Sequence, residues 1–173
     1  MSTLFLNGEI VDDHWVRVDG EQPIPEGEDV LVTLPVLEAQ QEEILARKNG
    51  RLGVYVEAGE QVDAFASHLD QISLVALDFP SFADGRAFSK ARLLRDRYEF
   101  QGEIRATGDV RIDQVEHMRR SGFDALLVRH QPTIDCLMEI KDKGLGIFYQ
   151  PAVEDRLGSV ARISGKNWAR RAL

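Results

Sequence analysis

Asp78, Asp84 and Asp109, Arg86 and Arg129, and His130 fall where the strands of this chain are expected to end or in the loops just after. Carboxylates and an imidazole are the side chains of general acid–base work, and guanidiniums beside a helix N-terminus hold an anion. Asp78, Asp84 and Asp109 are therefore the catalytic candidates. Asp78 closes an apolar run, SLVALDF (73–79), where a carboxylate must be paired or open to a cleft. Asp84 and Asp109 each precede an expected helix, so each also fits a plain N-cap. The ligand- or anion-binding candidates are Arg86, Ser89, Arg92, Thr107, Gly108, Arg129 and His130. Each has a structural alternative: Arg86 as partner of Asp78, Ser89 bonded to a backbone carbonyl, Arg92 and Arg95 as a solvated helix face.

Other chemistries lack their signatures. The chain has no G-x-G-x-x-G, G-x-x-x-x-G-K-[ST], H-E-x-x-H or G-x-S-x-G. No flavin, nicotinamide, haem or iron–sulfur signature is present either, so the cofactor is left unknown. His14, His68, His117 and His130 are scattered, and the single Cys136 cannot build a thiolate zinc site, so no metal site is expected. Cys136 falls on an expected helix and reads as a small hydrophobe.

These residues need elements that bring them to one rim. VLVTL (30–34), GVYVE (53–57), SLVALDF (73–79), EIRAT (103–107), FDALLVR (123–129) and GIFYQ (146–150) are short apolar runs of strand length. Helical patterns separate them, at 36–48, 62–69, 87–98, 110–120 and 132–143. Strands alternating with helices imply right-handed βαβ units and a mainly parallel sheet, as an open sheet or a partial TIM-like barrel. In either form the strand C-termini share one face. Asn7-Gly8 between apolar runs marks an N-terminal β-hairpin. The organisation expected is a hairpin or arm over 1–22, one α/β domain over 23–150 and a C-terminal tail over 151–173.

With 173 residues, one cysteine, no basic and apolar leader pattern and no apolar run of membrane-spanning length, the expectation is a cytoplasmic protein without membrane insertion. A net charge of −8 opposes nucleic-acid binding. The charge is uneven: residues 1–85 carry 4 basic and 17 acidic side chains, giving −13, and residues 86–173 carry 17 and 12, giving +5. An anionic ligand would meet the second half, although the same residues fit solvated helix faces paired to local acids.

The runs FPSFADGRAFSKARLLRDRY (79–98) and GEIRATGDVRIDQVEHMRRSGFDA (102–125) resemble a bacterial DUF-class family of unknown function. Its genes accompany those for assimilatory sulfite reductase, and its members are sometimes labelled oxidoreductases of sulfite reduction. The resemblance is specific over 78–125 and looser from Trp15 to Gln150. Asp84-Gly85-Arg86, Ser89, Arg92, Arg95, Gly108-Asp109 and Asp113-Gln114 match its pattern, and no catalytic residue comes with it. Three positions depart: Ala87 for Gly, Arg111 for Leu and Ser121 for Cys, the last of which weakens a thiol-redox reading.

The resemblance implies an accessory protein of sulfite or sulfate assimilation, binding a small anion or a partner such as sulfite reductase at its strand ends. The residues leave two alternatives open. One is an enzyme whose rim carboxylates act as acid and base on a small oxyanionic or phosphorylated metabolite. The other is a non-catalytic assembly module whose acidic and basic halves dock complementary surfaces, another copy of the chain among them.

Overall fold

A computed structural model describes residues 2–20 and 23–143. The strand expected at 146–150 and the tail at 151–173 lie outside these residues, as do Glu21 and Gln22 at the expected arm boundary.

Eight strands form one sheet: β1 (Thr3–Leu6), β2 (Glu9–Val11), β3 (Val16–Val18), β4 (Val30–Thr33), β5 (Leu52–Val56), β6 (Ile72–Phe79), β7 (Glu103–Gly108) and β8 (Ala125–Val128). Their order is β2-β1-β8-β7-β6-β5-β4-β3. From β3 to β8 every neighbouring pair is parallel and in chain order. β1 runs antiparallel to β8 and pairs with β2 across the Asn7-Gly8 turn. Both turn residues have positive φ, 51° and 85°, as a two-residue hairpin loop demands. The architecture is thus mixed α/β, a mostly parallel curled open sheet with an antiparallel N-terminal hairpin.

Chain reach explains the curl. β2 and β3 are the two edges of the sheet, yet only residues 12–15 join them. Five residue steps span at most about 18 Å, whereas eight strands laid flat would be about 34 Å across. The sheet therefore bends until its edges face each other, as half of a barrel, with the 12–15 connector strapped across the concave side.

The two faces follow strand alternation. Val30 and Val32 of β4, Val75, Leu77 and Phe79 of β6, and Ile104 and Ala106 of β7 join one large core. The same core takes Val36 and Leu37 of α1 (Leu34–Ala39), Ile44 of α2 (Gln41–Leu45), and Val62 and Phe65 of a 3-10 helix (Val62–His68). It also takes Ala91 and Leu94 of α3 (Arg86–Asp96), Val115 and Met118 of α4 (Ile112–Arg120), and Ile134 and Leu137 of α5 (Gln131–Lys143). All helices thus cover the convex face. The alternate residues Leu31, Tyr55, Leu74 and Ala76 form a smaller cluster on the concave face, packed against Trp15 of the strap. A singly wound sheet has no reversal of strand order, so no crevice opens between halves. The C-terminal ends of its parallel strands share one rim.

Two elements differ from expectation. The helix expected over 36–48 is two short helices, broken at Gln40, whose φ of −123° and ψ of 30° leave the helical region. The segment at 62–69 is 3-10 rather than α. Among the described residues no helix is long and apolar enough to cross a membrane.

Candidate functional site

Asp78, Thr107 and Gly108 come together because β6 and β7 are parallel and in register, with Asp78 beside Thr107 and Phe79 beside Gly108. The Thr107 hydroxyl lies 3.4 Å from Asp78 Oδ1, and the Tyr55 hydroxyl of β5 also bonds this carboxylate. Burial, and next the Asp78 carboxylate, push the Tyr55 hydroxyl above its usual range. Arg17 of β3 lies over the Tyr55 ring, 3.8 Å from its centroid. Four strands thus contribute to a polar cluster on the upper concave face. Of the three candidate carboxylates, Asp78 alone has no guanidinium partner among the described residues.

Asp84 is held in its own loop. It accepts the Arg86 backbone N–H at 3.1 Å and the Arg86 guanidinium at 2.5 Å. Those contacts keep its carboxyl down at about 2. Asp84 therefore closes an Asx turn just before α3, whose N-cap is Gly85 and not Asp84, and stays ionised at neutral pH. Arg86, one of the cations expected to hold an anion, is already paired.

Asp109 braces the rim instead of capping α4, whose N-cap is Arg111. Its Oδ2 accepts the Phe82 N–H at 3.1 Å, its Oδ1 accepts from the Arg111 guanidinium, and its own N–H donates to the Phe79 carbonyl at 2.7 Å. Arg111 accordingly holds the Asp109 carboxyl below the usual range. Gln114 completes the brace, accepting the Arg111 N–H at 3.3 Å and donating to the Phe82 carbonyl at 3.0 Å. The loop after β6 is thus tied to the start of α4.

Arg129 and His130 follow β8. His130 Nδ1 and the hydroxyl of the fully buried Thr133 are 2.9 Å apart, and the His130 carbonyl accepts the Thr133 and Ile134 N–H groups. This turn starts α5. Arg129 is exposed and makes no ion pair among the described residues. The first turns of α4 and α5 then border one open depression of about 440 Å³, lined by Phe82, Arg111, Ile112, Asp113, His130 and Thr133. Phe82 and Ile112 expose 51% and 37% of their surface, well beyond what large apolar side chains leave open in the core. Ser89 and Arg92 stand exposed on α3.

Several residues that shape this region look like surface residues by type. Lys90 is 7% exposed and donates to the Glu57 and Ala58 carbonyls at 2.6 and 3.0 Å, fixing the loop after β5. Burial, then the nearby Arg86, lowers its ammonium pKa. Arg95 is no solvated face: it meets Asp124 at 2.5 Å and donates to the Gly102, Gly122 and Phe100 carbonyls. Its only forewarning was its place one turn after Ala91 on the same helix. Phe82 carried no signal, because a lone aromatic in a loop reads as packing. Cys136 is free and half-buried.

No curated protein matches the chain. The family model described as bacterial protein of unknown function (DUF934) matches residues 53–159, a span running from β5 through the whole rim described above. More than half of the sequence lies in that match, and the chain belongs to this DUF934 family of bacterial proteins of unknown function.

Proposed function

We propose that the chain is a cytoplasmic accessory protein of sulfite or sulfate assimilation that binds a small oxyanion in the depression between α4 and α5. One observation carries the anion reading: two helices of 9 and 13 residues open their first turns onto the same depression, beside Arg111, His130 and Thr133. The first turn of α4 favours negative charge; in α5 Pro132 has no N–H, and the Thr133 and Ile134 N–H groups already bond the His130 carbonyl. Arg129, next to His130 and without an ion-pair partner among the described residues, supplies unneutralised positive charge. The sulfur link and sulfite reductase as the partner rest on the family resemblance alone.

Thermal shift with sulfite, sulfate and phosphate, on the native chain and on Arg129→Ala, tests the anion. A ligand present at 100 times its Kd adds about 2.7 kcal/mol of stability, and the variant should lose most of that shift. No shift with any of the three removes the anion reading. A strain lacking the gene should grow poorly on sulfate and recover on sulfide; equal growth on both removes the pathway assignment.

A second reading, an enzyme of acid–base type, is favoured by Asp78. Asp84 and Asp109 are pinned as anions by guanidiniums, whereas Asp78 has no guanidinium partner among the described residues and meets the Tyr55 and Thr107 hydroxyls, with the Lys90 ammonium nearby. Full activity of Asp78→Asn in an assay that the native protein passes would remove it. An absorbance band beyond the aromatic region in the purified protein would instead favour the oxidoreductase label.

A further inference from the structure

We propose that Tyr55, Asp78 and Arg17 form a site that enolises a small 2-oxo acid: Arg17 holds its carboxylate, Tyr55 donates to its carbonyl oxygen and Asp78 removes a proton from the next carbon. The inference rests on the acid–base reading of Asp78 above and names its substrate class.

One hydroxyl is the hub of the upper concave face. The Tyr55 hydroxyl on β5 reaches Asp78 on β6, Thr107 on β7 and Arg17 on β3. Strand register sets this up. Asp78 lies beside Thr107 and one same-face step beyond Ala76, the neighbour of Tyr55. Gly108 leaves room for the carboxylate, since a Cβ there would lie 2.8 Å from Asp78 Oδ1. Burial, and next Asp78, raise the Tyr55 hydroxyl above its usual range, so it is a proton donor at neutral pH. A carboxylate base beside a phenol that stays protonated is the pair that enolisation uses. The carboxylate takes the C–H proton, and the phenol donates to the oxygen on which charge develops.

Arg17 says what else the substrate carries. The Lys90 ammonium near Asp78 is already engaged, donating to the Glu57 and Ala58 carbonyls. Asp19 accepts only the Arg17 Nε–H, at 2.8 Å, and the Arg17 side chain is 42% exposed. Its terminal N–H groups form the planar fork that suits a carboxylate. Arg17 lies over the Tyr55 ring, 3.8 Å from its centroid, so substrate reaches the hydroxyl as this long side chain turns to meet the carboxylate. Guanidinium, phenol and carboxylate follow one another across β3, β5 and β6. Carboxylate, carbonyl and acidic C–H follow one another in the same order in a 2-oxo acid.

The step balances within these groups. The C–H electron pair becomes the C=C bond, the carbonyl π pair moves to oxygen, and the proton goes to Asp78. The Tyr55 O–H holds the enolate oxygen by a hydrogen bond. Return of the proton from Asp78 restores the 2-oxo acid, and no oxidant or reductant is consumed.

Loss of the C–H proton signals of pyruvate, 2-oxobutyrate and 2-oxoglutarate in heavy water, followed by NMR with the full chain, tests the assignment. Exchange faster than without protein is expected for at least one of the three. Tyr55→Phe, which keeps the ring packed, should slow it about a hundredfold, and Asp78→Asn at least about as much. Arg17→Ala should raise KM more than it lowers kcat, and Arg17→Lys should recover part of the loss. Melting curves show that each variant is folded. Absence of exchange with all three acids overturns the substrate class and leaves the acid–base reading of Asp78 standing. Exchange lost in Asp78→Asn but kept in Tyr55→Phe overturns the inference in the same way. Exchange that survives Asp78→Asn overturns both readings.

Discussion

Asp13 and Arg105 stand 92 residues apart in the chain and 2.9 Å apart across the concave face of the sheet. Arg105 is 2% exposed, with Glu103 as its second partner at 2.8 Å. The strap that carries Asp13 also packs Trp15 against Leu31, Tyr55, Leu74 and Ala76. A face that the helices leave uncovered is thereby filled, and the curled sheet gains a second core without closing into a barrel.

Arg105 is buried while Asp13 and Glu103 are only partly covered, so the cluster hinges on the guanidinium. Arg105→Ala should lower stability by about 3 kcal/mol, because Asp13 and Glu103 then face each other unpaired. Asp13→Ala should cost less, about 1.5 kcal/mol, since Glu103 keeps its bond to Arg105. Urea denaturation of both variants gives the comparison. Equal, near-zero losses would mean that the strap does not close the sheet.

Asp84 supplies a pH test. Its carboxyl is held at about 2 by Arg86, against an ordinary value of 3.8. Because the folded value lies below the unfolded one, the pair contributes its stability above the ordinary range and loses it as pH falls toward 2. In an NMR titration Asp84 should have its midpoint near 2, and Arg86→Ala should raise it toward the ordinary 3.8 without reaching it, because the residue-86 backbone N–H still donates to Asp84. An unchanged midpoint in the variant would place the cause elsewhere.

Ser121 carries a hydroxyl that is buried without a hydrogen-bond partner among the described residues. At 2% exposure this group has lost its water and gained nothing in return. Ser121→Ala should therefore raise stability by about 1 kcal/mol, measurable as a higher urea midpoint at unchanged slope. A lower midpoint would show that the hydroxyl is satisfied in solution.

The parallel strands were legible as short apolar runs, VLVTL and SLVALDF among them, separated by helical patterns, and the rim followed from them. Strand order was not legible: no local pattern in TLFL or VRV says that these segments pair with β8 and β4, since those contacts are made across the whole chain. The buried cations failed for a different reason. Arg105 sits between Ile104 and Ala106 on the side that alternation assigns to water, and only the strap covers it. Lys90 and Arg95 are buried by backbone carbonyls, which have no sequence signature. The depression was half legible, its His130 flagged by strand ends and its Phe82 not at all.

Gly108 tests whether the rim is built as described. Its φ is +86°, a conformation that L side chains rarely adopt. A Cβ there would lie 2.3 Å from the Phe79 carbonyl oxygen and 2.8 Å from Asp78 Oδ1. The same Phe79 oxygen accepts the Asp109 N–H at 2.7 Å, so relieving the clash breaks the bond that orients Asp109 and, through it, Phe82. Gly108→Ala should cost upwards of about 2 kcal/mol and should also abolish any ligand-induced thermal shift. Gly85→Ala is the matched control: its φ is −93° and its added Cβ would meet only Phe88 Cδ2, at 3.8 Å. That change should stay within about 0.5 kcal/mol. Equal stability of the two variants would show that the β6 and β7 ends are not locked together, and the depression between α4 and α5 would lose its fixed wall.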